Sequence, residues 1–142
     1  MNDSKRLGDY GERIACCYLE KKGYKILDKN YSRKWQGGPQ KGEVDIIARP
    51  CRNISGIFPG AKGDTIHFIE VKTLSSNKNR DFLPEDKVNF RKQKQILKIA
   101  QDWLTEKKIS LESKWQIDIV SIKVDLNTQK AKVHFLENVV SL

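Results

Sequence analysis

Two segments of this chain are rich in β-branched and aromatic residues, yet each is interrupted by charge. They are Glu43 to Arg49 (EVDIIAR) and Thr65 to Thr73 (TIHFIEVKT). This composition is typical of strands in the interior of a sheet. The sequence therefore predicts that the two segments pair with each other, in a fold that accommodates charged side chains within otherwise apolar strands.

Helical and β patterns alternate along the rest of the chain. Apolar residues recur with a helical period from Ser4 to Lys22, where Gly23 takes the place of a C-terminal cap, and again from Glu85 to Lys108, with acidic residues in the first turn. The other predicted strands are Tyr24 to Tyr31, Trp115 to Val124 and Ala131 to Leu136. This order predicts an α/β fold with an αβββαβ core, whose mixed central sheet is flanked by helices, plus a C-terminal strand.

The length and charge of the chain limit its organisation and its partners. With 142 residues, we expect a single domain over residues 1–142. The chain has 27 Lys and Arg against 18 Asp and Glu, a formal net charge of +9. Such a surplus attracts polyanions, and nucleic acid is the favoured partner, although an anionic membrane surface would also be attracted.

The three cysteines and the distribution of apolar residues indicate where in the cell the protein is located. Cys16, Cys17 and Cys51 lack the spacing of a zinc site. We expect their thiols to be buried as small apolar groups in a reducing environment, which predicts a cytoplasmic location. No stretch of the sequence is apolar enough to cross a bilayer, and the first residues show no secretory signal, so no membrane partner is expected.

Three charged residues within the predicted strands are the candidates for chemistry. Glu70 and Lys72 are two residues apart and therefore project from one face of their strand. Asp45 interrupts the apolar run of the other strand, where a carboxylate needs a partner. Pairing of the strands can bring Asp45 beside Glu70, and a divalent cation would relieve their repulsion. From spacing alone a structural explanation stays open, in which these residues pair with other charges or face water.

A cation bound by these carboxylates would also contact phosphate oxygens of the predicted partner, nucleic acid. Magnesium favours one or two carboxylates together with water and phosphate oxygens. A bound cation can lower the pKa of a water molecule and stabilise charge on a scissile phosphate. Lys72 would orient that water or neutralise the developing charge.

The second predicted helix adds a cluster of positive charge. Five basic residues fall within twelve positions, and they are the candidates for nucleic-acid binding: Lys87, Arg91, Lys92, Lys94 and Lys98. Lys92 shares the apolar stripe of the helix, so it can reach into the site. For the other four, a simply solvated face is the alternative.

The pattern of Asp45 followed by Glu70-Val71-Lys72 resembles the PD-(D/E)xK signature of restriction-endonuclease-like nucleases, with Val44 in place of the proline. Nearly the whole chain is similar to the YraN-like family of bacterial proteins, which in turn resembles the archaeal-type Holliday junction resolvases in fold and motif. The likeness is carried by the segments LGDYGERIACCYLEKKGYKILDKNY, GEVDIIAR, FIEVKT and IDIVSIKV.

This resemblance implies a nuclease that uses Mg²⁺ or Mn²⁺ to cut DNA, with branched or structured DNA as substrate and a homodimer as the assembly. It makes Asp45, Glu70 and Lys72 catalytic, Asp45 and Glu70 metal ligands, and Glu12 a further acidic member of the site. Glu43 is expected to face away from Asp45 and is secondary. The alternatives are a nucleic-acid-binding module on the same fold that does not cut, and a protein-interaction scaffold.

Overall fold

The computed structural model describes residues 3–32, 42–51, 65–75 and 89–139. The elements in chain order are α1 (Asp3–Lys21), β1 (Tyr24–Ser32), β2 (Glu43–Pro50), β3 (Ile66–Ser75), α2 (Phe90–Glu106), β4 (Trp115–Asp125) and β5 (Lys130–Leu136). The predicted order of helices and strands, including the C-terminal strand, is confirmed.

The strands form one mixed sheet in the order β1-β2-β3-β4-β5. The β3–β4 pair is parallel, and the other neighbours are antiparallel. A parallel pair needs a crossover connection, and α2 lies within it. The predicted pairing of β2 with β3 is confirmed by a register that sets Ile46 opposite Ile69. The position of β5, which the sequence left open, is at the edge beside β4.

The two helices cover opposite faces of the sheet. Leu19 of α1 packs in one apolar cluster with Ile69, while Trp103 of α2 packs in the other with Phe68, the neighbour of Ile69 in β3. The rings of Phe68 and Trp103 meet edge to face with centroids 5.8 Å apart. Burial of each such side chain contributes about 1.5–3 kcal/mol. Within the described part of the chain, neither helix is long and apolar enough to span a bilayer.

The end of α1 matches its sequence signal. Gly23 adopts a φ of 90°, in the left-handed region, and its N–H donates to the carbonyl of Glu20 at 3.0 Å. Glycine reaches this conformation at little cost, which is why it ends helices so often. The predicted C-terminal cap is confirmed.

Gly11 sets how closely α1 approaches the sheet. It is buried, and a Cβ at this position would lie 1.8 Å from Oγ1 of Thr73 in β3. Any larger residue would therefore have to push the helix away from the strand. The close approach holds Glu12, the next residue of α1, beside the half of β3 that carries Glu70 and Lys72.

The predicted start of the second helix is wrong. α2 begins at Phe90 rather than at Glu85, because Asn89 is extended, with φ −69° and ψ 167°, and acts as the N-terminal cap. Its side-chain oxygen accepts a hydrogen bond from the N–H of Lys92 at 2.9 Å, which satisfies a donor that the helix leaves free. The first turn of α2 accordingly holds no acidic residue.

The expectation that all three thiols are buried is also wrong. Cys16 is buried against the sheet, whereas Cys17 and Cys51 are exposed. Successive residues of a helix point about 100° apart, so Cys17 turns away from the face that buries Cys16.

Candidate active site

The β2–β3 ladder ends one residue before the site. Its paired positions run from Ala48 and His67 to Ile46 and Ile69, so the next positions in this register are Asp45 and Glu70. At this point the two strands are joined by a side chain instead of a backbone hydrogen bond, because Oδ2 of Asp45 accepts a hydrogen bond from the N–H of Val71 at 2.8 Å. Asp45 is thereby held against the part of β3 that carries Glu70.

Three carboxylates meet at this end of the sheet. Glu12 from α1 and Glu43 and Asp45 from β2 each offer an oxygen, and these oxygens lie within 4.8 Å of one another. The expectation that Glu43 faces away from Asp45 is wrong, because residues two apart on a strand share a face. Glu43 is thus the candidate that the sequence reasoning set aside, and the Glu-x-Asp spacing is the signal that could have found it.

Glu70 lies outside this triplet but faces the same opening. A cleft of about 390 Å³ is lined by Glu12, Asp45, Glu70 and Thr73, among others. The Oε2 atom of Glu70 is buried and has no hydrogen-bond partner among the described residues, while Oε1 lies 3.7 Å from Nζ of Lys92. A buried carboxylate oxygen without a partner is costly, so this atom needs a proton or a cation.

The pKa values of the acids in the cleft are raised by burial and by one another's charge. Burial, followed by the charge of Asp45, raises the pKa of Glu12 and raises the pKa of Glu70 to about 7, although Lys92 and Lys72 act in the opposite direction on Glu70. Burial also raises the pKa of Asp45, against the hydrogen bond from Val71. These shifts mean that negative charge is destabilised here when nothing positive is bound.

The donor atoms suit a hard divalent cation. They are all carboxylate oxygens, the ligands that Mg²⁺ and Mn²⁺ prefer. One cation held by Glu12, Glu43 and Asp45 would offset the repulsion among these acids. The predicted ligands, Asp45 and Glu70, face one cleft, whereas the tightest group joins Asp45 to Glu12 and Glu43. Asp45 is common to both sets.

The sequence matches a known family. Residues 11–122 match the profile of "Uncharacterised protein family UPF0102". The chain belongs to this family. It is similar to the UPF0102 protein of Alkaliphilus oremlandii, with 36% identity over 135 residues that cover 95% of this chain and 97% of the relative. It is 39% identical over 120 residues to the UPF0102 protein of Geotalea uraniireducens, covering 84% of this chain and 78% of the relative.

Similarity also extends to UPF0102 protein CPE1705 of Clostridium perfringens, at 32% identity over 135 residues, or 95% of this chain and 93% of the relative. The predicted membership of the YraN-like family, which is UPF0102, is confirmed. The region that matches the UPF0102 profile contains Glu12, Glu43, Asp45, Glu70 and Lys72. The whole candidate site therefore lies within the part of the chain that the family shares.

Lys72 lies close to Glu70, one of the acids that line the cleft. It follows Glu70 by two residues on β3 and so shares its face. The side chain is half-buried, and its charge lowers the pKa of Glu70. Lys72 therefore stands where the sequence predicts it, beside Glu70.

The basic residues of α2 differ in what they contact. Arg91, Lys94 and Lys98 are exposed, and Nζ of Lys94 lies 4.5 Å from the centre of the Phe90 ring. Lys92 is half-buried and turned toward the acids, where its Nζ donates to the carbonyl oxygen of Glu43 at 3.2 Å. The fifth candidate, Lys87, lies outside the described residues.

Proposed function

We propose that this protein is a metal-dependent nuclease that hydrolyses phosphodiester bonds in DNA. The observation that carries the proposal is the convergence of Glu12, Glu43, Asp45 and Glu70 on one end of the sheet, with Lys72 beside them. Burial first, and then repulsion among neighbouring carboxylates, disfavours the ionised form of Glu12, Asp45 and Glu70, and their raised pKa values express that cost. A cation-binding role accounts for an arrangement that stability alone disfavours.

Asp45 would be the central ligand of a Mg²⁺ or Mn²⁺ ion, because it belongs to the carboxylate triplet and also lines the cleft with Glu70. Glu70 would be a second ligand, and Glu12 and Glu43 would supply further oxygens. When bound, the ion would lower the pKa of water and offset charge on the scissile phosphate. Lys72 orients the attacking water or neutralises the charge that develops on the phosphate.

The order of elements and the Asp and Glu-x-Lys spacing support an assignment to the restriction-endonuclease-like superfamily, with a relation to the archaeal-type Holliday junction resolvases. That relation is an analogy of fold and motif. It favours branched or structured DNA as the substrate and a homodimer as the working assembly.

The surface supports a polyanionic partner. The net charge is +9, and Arg91, Lys94 and Lys98 expose their side chains along α2, where they can contact phosphates. The cysteines of the described chain are free thiols, which supports a reducing location such as the cytoplasm. Both apolar clusters are built on one sheet, which supports a single domain.

The decisive experiment incubates the purified protein with branched, flap and linear DNA in the presence of Mg²⁺ or Mn²⁺. The wild type should cut at least one of these substrates. Asp45→Asn should lose cleavage activity by a larger factor than the roughly 10- to 100-fold loss that follows removal of a residue hydrogen-bonded to a metal ligand. The matched control is Glu112→Gln, which removes one exposed carboxylate from the loop before β4, at the opposite end of the sheet, and should retain full activity.

The result also separates the alternatives. Metal-dependent cleavage that is equal in the wild type and in Asp45→Asn would come from a contaminant or another site, and would refute the proposal. Salt-sensitive DNA binding by the wild type without any cleavage would instead favour a binding module on this fold. A protein-interaction scaffold predicts no affinity for polynucleotides at physiological salt.

A further inference from the structure

The ammonium group of Lys92 touches both strands of the candidate site. Its Nζ donates to the carbonyl oxygen of Glu43 on β2 at 3.2 Å and lies 3.7 Å from Oε1 of Glu70 on β3. These contacts fall just beyond the last paired residues of the β2–β3 ladder. One side chain from α2 therefore joins two strand ends at the point where the ladder no longer does so.

The backbone of α2 holds Lys92 firmly over this gap. The N–H of Lys92 is bound by the capping side chain of Asn89 at 2.9 Å. One turn further on, Gln95 packs closely on the residue before β2, since a Cβ on Gly42 would lie 3.1 Å from its Oε1. Ile96 is buried in the apolar cluster beneath α2. The start of the helix is thus fixed against β2, and the backbone of Lys92 is fixed with it.

The contacts of the Lys92 ammonium group with Glu43 and Glu70 compete with contact to a phosphate of nucleic acid. A lysine ammonium has three N–H donors, and a charge committed to a carboxylate and a carbonyl has less to gain from a phosphate oxygen. The side chain of Lys92 is 29% exposed, whereas Arg91, Lys94 and Lys98 are exposed residues. The basic run of α2 therefore contains two kinds of residue, although the sequence assigned all of them to nucleic-acid binding.

We infer that Lys92 is a positioning residue, which sets the distance between the β2 end and Glu70 through its contacts with Glu43 and Glu70, and that it does not hold the nucleic-acid backbone. The inference rests on the proposed nuclease function for its consequence in catalysis. Its structural core, the alignment of the two strand ends, is independent of that function and can be measured without turnover.

The test compares Lys92→Met with Lys98→Met, which removes the same charge from an exposed position of the same helix. Lys92→Met should lower kcat by about 10- to 100-fold, the usual effect of losing a residue that orients a metal ligand. Its KM and its DNA affinity without divalent metal should stay at the wild-type values. Lys98→Met should instead weaken DNA binding without divalent metal and reduce its salt slope by about one, and Glu112→Gln, the control outside the site, should keep the wild-type kcat. Lys92→Arg, which keeps the charge and donors for both acceptors, should recover most of the lost kcat.

The second readout is amide hydrogen exchange of the metal-free protein at Val71, whose N–H is bound by Asp45. Exchange at Val71 should be about tenfold faster in Lys92→Met and unchanged in Lys98→Met, as expected for a weakened hydrogen bond to a charged acceptor. If Lys92→Met does not fold, Lys92→Gln, which keeps one donor, is measured in its place.

These outcomes show which of the two proposals has failed, the positioning role of Lys92 or the nuclease function. A Lys92 variant with normal kcat, weaker DNA binding and a smaller salt slope would make Lys92 a phosphate contact and overturn the inference. If the wild type cuts no DNA, the nuclease proposal fails, but amide exchange at Val71 still tests the positioning role of Lys92. Equal protection of Val71 in Lys92→Met and Lys98→Met would overturn that role.

Discussion

Oδ2 of Asp45 accepts a hydrogen bond from the backbone N–H of Val71 at 2.8 Å, across the gap at the end of the β2–β3 ladder. Asp45 therefore has two separable roles. Its oxygen completes the backbone pairing that the strands leave unfinished, and its charge faces Glu12 and Glu43. Substitutions that keep one role and remove the other can tell them apart.

Asparagine at position 45 keeps the oxygen and removes the charge, whereas alanine removes both. We expect metal-free Asp45→Asn to be at least as stable as the wild type, because burial disfavours the charged form of Asp45. Asp45→Ala should lose about 1–3 kcal/mol, since the N–H of Val71 is left unpaired. Urea unfolding in EDTA measures both. Equal stability of the two variants would show that this hydrogen bond contributes nothing.

Glu43 is expected to take part in cation binding. Its oxygen lies within 4.8 Å of those of Glu12 and Asp45. Glu43→Gln should therefore weaken Mn²⁺ binding by about 10- to 100-fold, as measured by electron paramagnetic resonance titration of the free ion. Glu112→Gln is the matched control and should bind as the wild type does. Wild-type Mn²⁺ affinity in Glu43→Gln would remove Glu43 from the site.

The raised pKa of Glu70 predicts how stability depends on pH. In the unfolded chain Glu70 ionises near 4.5, but in the folded protein its pKa is about 7. The unfolded state therefore releases its proton first, and stability falls as pH rises from 4.5 to 7. At about 1.4 kcal/mol per pKa unit, the loss attributable to Glu70 is at most about 3–4 kcal/mol.

Glu70→Gln removes this loss. Without metal, the variant should be more stable than the wild type above pH 7, by up to about 3–4 kcal/mol, and should show no such gain near pH 4, where the carboxyl is protonated in both states. Divalent cations should narrow the difference at high pH, because they bind the ionised form. Chemical denaturation from pH 4 to pH 8 in EDTA provides the comparison. A gain that is constant across this range would contradict the shifted pKa.

Gly11 and Gly8 form a matched pair within α1. A Cβ on Gly11 would meet Oγ1 of Thr73 at 1.8 Å, whereas a Cβ on Gly8 would meet nothing within 4 Å. Gly11→Ala should destabilise the protein by about 1–3 kcal/mol through overpacking. Gly8→Ala should stabilise it by up to about 1 kcal/mol through helix propensity. Thermal unfolding of both variants checks the prediction, and a stable Gly11→Ala would mean that α1 does not lie this close to β3.

A buried pair lies at the opposite end of β3. Nδ1 of His67 contacts Oδ2 of Asp118, while Oδ1 of Asp118 accepts from the side chain of Gln116 and the N–H of Asn138, both at 2.8 Å. Asp118→Ala leaves these groups without their partner and should cost about 3 kcal/mol or more. Cleavage per folded molecule should not change, because neither His67 nor Asp118 lines the cleft of the carboxylates. Loss of cleavage in folded Asp118→Ala would give His67 a catalytic connection.

The sequence by itself determined the order of the elements and selected most of the candidate site residues. Periodicity is local, so α1 and the strands containing Asp45 and Glu70 could be located from residues a few positions apart. The same local logic selected Asp45, Glu70 and Lys72, since charged residues within apolar strands need an explanation. The start of α2 was misplaced because the capping role of Asn89 competes with a helical pattern that continues before it.

Only the tertiary structure decided which of these residues meet. The contact of Lys92 with Glu70 depends on how α2 packs over β2, and the approach of Glu12 depends on the space left by Gly11 against Thr73. Such contacts join residues far apart in the chain, and their distances follow from strand register and helix packing. A local sequence pattern can indicate the face on which a side chain lies, but the partner on that face is fixed only when the sheet and its helices come together.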